Sequence, residues 1–248
     1  MTSNSPGKLL EWDTSFFGRR VGRIEATRLT DVDMTAVLEW AYSNDLECLY
    51  FLCVTDDDDS VRAAETHGFH LVDVRLTFLW QRPRDAQRLP RGEESIVRRY
   101  RNEDKTAIED IAAVAYSDTR FFYDRRFGAE RAAALYREWA AKSCDGGVDA
   151  VLVAADKRDV RGFITCQLQP SHHGQIGLVG VHSAARGSGV GQALVEAALT
   201  YFVDKGADSV EVVTQGRNIA AQRLYQKCGF RSHSFRLWYH RWFGADEK

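Results

Sequence analysis

A chain of 248 residues, 44% hydrophobic and 27% charged, reads as soluble and globular, with material for one large domain or two small ones. Its net charge of −2 argues against a nucleic-acid-binding surface, which needs a basic excess. No apolar run approaches the ~18 residues of a bilayer span, and the polar stretch 1–8 does not read as a leader, so a cytoplasmic protein is expected.

The structured part opens at 9–18, where Phe16 and Phe17 before Gly18 suggest a packed turn. A strand is expected over 21–26. A helix follows over 31–43, with an Asp31 cap and an apolar stripe of Met34, Val37, Leu38 and Ala41. The apolar run 49–54 reads as a buried strand. The acidic run Asp56 to Asp59 admits two readings, a metal cluster or the start of the helix over 60–67. The second is favoured, because acids stabilise a helix N-terminus and four consecutive side chains cannot converge on one ion. A strand to Trp80 closes this tract.

Residues 81–94, with Pro83 and Pro90, read as a linker. A second unit then runs strand 95–100, helix 103–116, an aromatic and charged loop 117–129, and helix 131–141. Strands 149–155, 162–169 and 175–182 follow, then helix 189–205, strand 209–214, helix 219–228 and strand 235–242. Aligning Gly68-Phe69 with Gly229-Phe230 sets Arg75 on Arg236 and Asp57 on Asn218, so the first tract reads as a degenerate partial copy of the last. Ala64 stands in the first copy where Tyr225 stands in the second.

The most informative stretch is Val179-Gly180-Val181 followed by Arg186-Gly187-Ser188-Gly189-Val190-Gly191-Gln192. Three glycines in five positions uncover backbone N–H groups at the start of a helix, which adds its positive end to the same point. This is a pyrophosphate cradle without the Gly-Lys-Ser/Thr of a Walker loop. Some 30 residues on, Asn218 and Tyr225 stand seven apart, two helical turns, and face the same way. Tyr225 reads either as a proton donor or as a core tyrosine, and Asn218 as a ligand contact, a helix N-cap or both. The five cysteines are scattered, odd in number and unmatched to the seven histidines, so neither disulfides nor a metal are expected.

Arg186-x-x-Gly189-x-Gly191 after an apolar strand, with Asn218-x-x-Ala221-x-x-x-Tyr225-x-x-x-Gly229-Phe230 behind it, resembles the two signatures of the GNAT acyltransferase superfamily. The resemblance implies an α/β (α+β) GNAT fold: a mixed, mostly antiparallel central sheet flanked by helices. It implies residues 91–248 as the acyl-CoA-dependent domain and 1–90 as a partial, degenerate GNAT-like half. Acetyl-CoA is the implied co-substrate, held by Val179 to Val181, Arg186 to Gln192 and Asn218, with Tyr225 both touching it and protonating the departing thiolate. A backbone N–H of the strand ending at Val181 would hold the developing oxyanion. No general base is legible; His182 lies nearby and water is an alternative.

Trp12 to Gly18, Asp118 to Phe122 and the C-terminal half together resemble the dTDP-fucosamine acetyltransferase branch. That branch implies a small-molecule partner, a nucleotide-linked 4-amino sugar, and leaves a homodimer open. Arg120 with Phe121, Phe122 and Tyr123 suits phosphate and ring faces, though Phe121 and Phe122 read equally as core anchors. Acetylation of a protein N-terminus, lysine or small amine, or a non-catalytic CoA-binding module, stay as alternatives.

Overall fold

The computed structural model describes residues 5–83, 96–157 and 159–244. Strand β1 (Gly7–Leu9) and helix α1 (Glu11–Phe17) replace the expected packed turn. Gly18 ends α1 at φ 64°, a left-handed conformation that favours glycine, and donates its N–H to Thr14 O. Strand β2 (Val21–Ile24) leads to helix α2 (Asp31–Ser43), which is capped by Thr30 rather than Asp31. Thr30 and Asp33 form a reciprocal capping box. Strand β3 (Cys48–Val54), helix α3 (Asp58–Thr66) and strand β4 (His70–Gln81) complete the first tract. The acidic run serves the start of α3: Asp58 and Asp59 occupy its first turn, and Asp56 and Asp57 lie 2.7 and 3.7 Å from Arg28.

Most of the expected linker lies outside the described residues, as do Ser95 and Arg158. The second unit then runs β5 (Val97–Arg99), α4 (Lys105–Ala115), α5 (Arg120–Tyr123), α6 (Ala129–Lys142), β6 (Ala150–Asp156), β7 (Asp159–Gln169) and β8 (His173–Val181). It ends with α7 (Val190–Asp204), β9 (Ser209–Gln215), α8 (Ile219–Lys227) and β10 (Arg231–Trp242). The short helix α5 lies inside the expected loop 117–129.

Among the described residues ten strands form one sheet, in the order β1-β2-β3-β10-β4-β9-β8-β7-β6-β5. Only β2/β3 and β8/β9 are parallel, so the sheet is mixed and mostly antiparallel. The two tracts interlock: β10 lies between β3 and β4, and β4 lies between β10 and β9. The registers are symmetric about the equated arginines. Arg75 stands opposite Arg236, Arg236 opposite Val54, and Arg75 opposite Gln215.

Alternate residues of β6 and β7 feed two cores, as the strand period requires. Leu152 and Ile164 pack with Leu194, Ala198 and Phe202 of α7, together with Phe78 of β4. Val153 and Phe163, from the other face, pack with Ile108 and Ile111 of α4 and Leu135 of α6. That second core also takes in Phe17, Tyr50 and Trp242, so α4 to α6 lie across both tracts. Among the described residues no helix is long and apolar enough to cross a membrane.

Candidate active site

The site begins where two strands part. The parallel ladder of β8 and β9 ends at Ile176–Val212. A bulge follows in β8, where the register with β7 shifts between the Cys166–Ile176 and Ile164–Val179 pairs. Leu178 N–H donates to Thr165 Oγ1 at 2.8 Å inside the bulge. A Cβ on Gly177 would stand 2.8 Å from that same oxygen, so the bulge needs glycine. Beyond it β8 leaves β9, and the gap is a cavity of about 650 Å³.

The backbone facing this gap follows from one bond. His182 N–H donates to Arg161 O at 2.8 Å. Antiparallel pairs alternate between bonded and non-bonded, so Gly180 exchanges bonds with Phe163 while Val179 and Val181 turn their N–H and C=O groups toward the cavity. Val179 and Val181 line it accordingly. Gly180 does not: a Cβ there would meet the Phe163 ring at 2.5 Å on the opposite face.

At the mouth stand Arg186, Gly187, Gly189, Gly191 and Gln192. Gly187 and Gly189 have φ 79° and 87°, and Gly189 caps α7 without a side-chain bond. The first N–H groups of this 15-residue helix therefore lack intrahelical acceptors and face the mouth. The side chains of Ser188 and Val190 do not join them. Ser188 Oγ donates to Ala185 O at 2.7 Å, and Val190 is buried in the core. His182 accepts the Ala184 N–H through Nδ1, a turn cap rather than a catalytic placement.

Asn218 and Tyr225 both line the cavity, as their spacing predicts. Asn218 Oδ1 accepts the Ala221 N–H at 3.0 Å, so the residue caps α8 while facing the gap. Tyr225 is 4% exposed and packs on Phe78 and Phe230 at centroid distances of 6.0 and 5.8 Å. Burial, with Cys228 adding to it, holds its phenol well above the ordinary tyrosine value, so it carries its proton at neutral pH.

The four expected substrate residues stand apart from the cavity. Phe121 is buried, its ring packed against Phe17 and Phe127, which closes it to a ligand. Phe122 packs against the same core. The Arg120 guanidinium lies 4.1 to 4.2 Å from the centroids of Tyr50, Phe121 and Trp238, with Nη1 2.7 Å from His240 Nε2. It is therefore already engaged by the protein. His240 is wholly buried, and its Nδ1 lies 2.7 Å from Asp124 Oδ2, which also accepts from Trp242 Nε1 at 2.8 Å. Tyr123 is exposed, with the Arg217 guanidinium 4.2 Å from its ring centroid.

Tyr116, Tyr136 and Trp139, which the sequence did not single out, line the cavity together with Asp118, the first residue of the Asp118 to Phe122 stretch. A further carboxylate, buried, stands on β4. Asp73 of β4 is 4% exposed, accepts the Val74 N–H at 2.9 Å and lies 3.9 Å from Arg217 Nη1. Burial pushes its carboxyl up to about 6 against the pull of Arg217. Tyr116 and Tyr136 continue the helical stripes of α4 and α6, which mark them as inward-facing but not as site residues. Nothing in the local pattern marks Asp73.

Known proteins fit this geometry. The family model described as acetyltransferase (GNAT) family matches residues 106–230, from α4 through the turn after α8. The dTDP-fucosamine acetyltransferase of Escherichia coli O6:H1 is 25% identical over 140 residues, 56% of this chain and 59% of that protein. The mycothiol acetyltransferase of Amycolatopsis mediterranei is 32% identical over 101 residues, 38% of this chain and 34% of that protein. The chain thus spans roughly a third to three-fifths of the curated relatives named here. A crystal structure titled as a GCN5-related N-acetyltransferase from Sphaerobacter thermophilus shares the fold over 97% of this chain and 78% of that one, at TM-score 0.66 and 17% identity. With the parted strands, the uncapped glycine turn and the matched segment in agreement, the chain belongs to the acetyltransferase (GNAT) family.

Proposed function

We propose that the gap between β8 and β9 holds acetyl-CoA and that the protein passes its acetyl group directly to an amine. The carrying observation is the gap itself: unpaired strand edge, glycine-turn helix start, Asn218 and Tyr225 all line one cavity. The residues fit the donor along its length. Gly187, Gly189 and the first N–H groups of α7 receive the pyrophosphate, with Arg186 adding charge. The edges of Val179 and Val181 pair with the pantetheine amides as an added strand would. Val179 N–H faces the place where negative charge develops on the thioester oxygen, a kind of donor worth ~3 kcal/mol in other enzymes. Tyr225 donates its proton to the sulfur as the C–S bond breaks, and the attacking amine loses its proton to water.

For the acceptor we favour a nucleotide-linked amino sugar. The similarity to a dTDP-fucosamine acetyltransferase supports this reading, and residues 1–90 act in it as a partial half that completes the acceptor side. Arg120 then positions the α5 segment, and the Arg217–Tyr123 pair offers a guanidinium and a ring face nearer to Asn218. The similarity to mycothiol acetyltransferases favours a second reading, an acceptor of the kind their name indicates. A panel of amines with acetyl-CoA, read by release of free thiol, tests both. A dTDP-4-amino-4,6-dideoxyhexose should give a kcat/KM well above those of a peptide amine, spermidine or a free amino sugar. A better peptide or polyamine acceptor overturns the nucleotide-sugar reading.

A further inference from the structure

Two stacked phenols stand in the wall of the cavity. Tyr116, just past the last turn of α4, lines the cavity and stacks on Tyr136 with centroids 4.4 Å apart and planes 18° apart. Its hydroxyl is buried. The ring lines the same cavity as Val179 and Tyr225, the groups proposed to face the carbonyl and the sulfur of a bound thioester. The stack on Tyr136 holds it in place.

Resting on the acetyl-CoA reading of the cavity, we infer that Tyr116 is the end wall of the acyl pocket and sets the donor's chain length. An acyl group placed with its carbonyl at Val179 N–H meets the Tyr116 ring where a longer chain would continue. Tyr136 stacks on that ring and is 6% exposed, so the wall cannot retreat without disturbing the core. The pocket admits acetyl and refuses longer saturated chains. One methylene in a fitted apolar pocket changes discrimination by roughly 10- to 200-fold.

The test compares acetyl-CoA with butyryl-CoA on the full-length protein, by calorimetry and by thiol release with the best amine of the panel. Wild type should prefer acetyl-CoA in kcat/KM by at least 10-fold. Tyr116→Ala should shift the butyryl-to-acetyl ratio upward by 10-fold or more. Tyr116→Leu, which retains more of the packing, should shift it in the same direction and covers the case in which the alanine variant does not fold. Tyr116→Phe keeps the ring and hence the wall, so the wild-type butyryl-to-acetyl ratio should persist. A wild type that binds acetyl-CoA but takes both donors equally, or a folded alanine or leucine variant with the wild-type ratio, overturns the inference alone. A wild type that binds neither thioester overturns the reading of the cavity and the inference with it.

Discussion

Lowering the pH from 7.5 to 4.5 should destabilise the protein through His240, and the structure sets the size of the effect. His240 is wholly buried, with Asp124 on one ring nitrogen and Arg120 on the other. Burial lowers its value from 6.5 to about 4; the Asp124 hydrogen bond opposes this and Arg120 adds to it. The folded state therefore refuses a proton that the unfolded state accepts. This contribution is complete above pH ~6.5 and is lost as pH falls toward 4. At pH 4.5 an unfolded histidine is almost entirely protonated, whereas the folded one is about three-quarters neutral. The difference is ~2.5 kcal/mol relative to pH 7.5, with little screening at so buried a site. The assay is urea unfolding of wild type and His240→Asn at half-unit pH steps. The variant starts lower at pH 7.5, and the gap between the two should narrow by ~2.5 kcal/mol at pH 4.5. Measurements stop there because Asp124 comes into play below it. Burial raises that carboxyl, but bonds from His240 and Trp242 outweigh this and hold it below the usual range. A gap that stays constant across the series refutes a neutral, buried His240.

Three further outcomes are expected. Tyr225→Phe should lower kcat by roughly 10²-fold, within the range of general-acid catalysis, and leave the calorimetric affinity for CoA nearly unchanged; wild-type turnover would reduce the phenol to packing. Gly189→Glu places a side chain and a charge at φ 87° in the anion seat, so CoA binding should vanish while circular dichroism stays native. A folded variant with unaltered affinity would move the pyrophosphate elsewhere. Asp73→Asn should unfold at higher urea than wild type at pH 7.5, by on the order of 1–2 kcal/mol, because a carboxyl raised to about 6 costs the folded state stability as pH rises from about 4 through 6. Equal midpoints at pH 7.5 would mean that Arg217 offsets the burial of Asp73.

The proposed donor side of the cavity is legible in the sequence because its chemistry is local. A glycine turn, the helix it starts, and two residues seven apart on the next helix are contiguous patterns, and folding changes none of their spacings. The acceptor side was not legible in the same way. Arg120 and three neighbouring aromatics look like a ligand surface when read along the chain. In the fold, Tyr50 of β3 and Trp238 and His240 of β10 close around Arg120, and those partners lie 70 to 120 positions away. Phe121 met the core role that its type equally allowed. The edges of elements moved for physical reasons of the same kind. Thr30 displaced Asp31 as the cap of α2 because it could bond reciprocally with Asp33, and β10 begins at Arg231 because it gains a partner on β4 from there on. Asp73 was silent because one carboxylate in a mixed strand carries no pattern; only β4 lying between β10 and β9 gives it Arg217 as a neighbour.

That placement of β4 also decides how the first tract bears on the chemistry. A half-domain added for acceptor binding could dock through an interface and be removed cleanly. Here β4 pairs along its length with β9 on one side and β10 on the other. Its Phe78, 1% exposed, packs on the ring of Tyr225, and its Trp80 stands 3.5 Å from where a Cβ would extend from Gly229. Deleting the chain before residue 91 would therefore strip three ladders, β3/β10, β4/β10 and β4/β9, and the floor beneath Tyr225, and lost turnover in such a fragment would not report on the acceptor. The exchange runs both ways, since β10 supplies β3 with its neighbour and carries Trp238 and His240 to Arg120. Changes confined to acceptor recognition have to be sought in side chains that line the cavity without bearing on these ladders, and Asp118, exposed at its rim, is such a position.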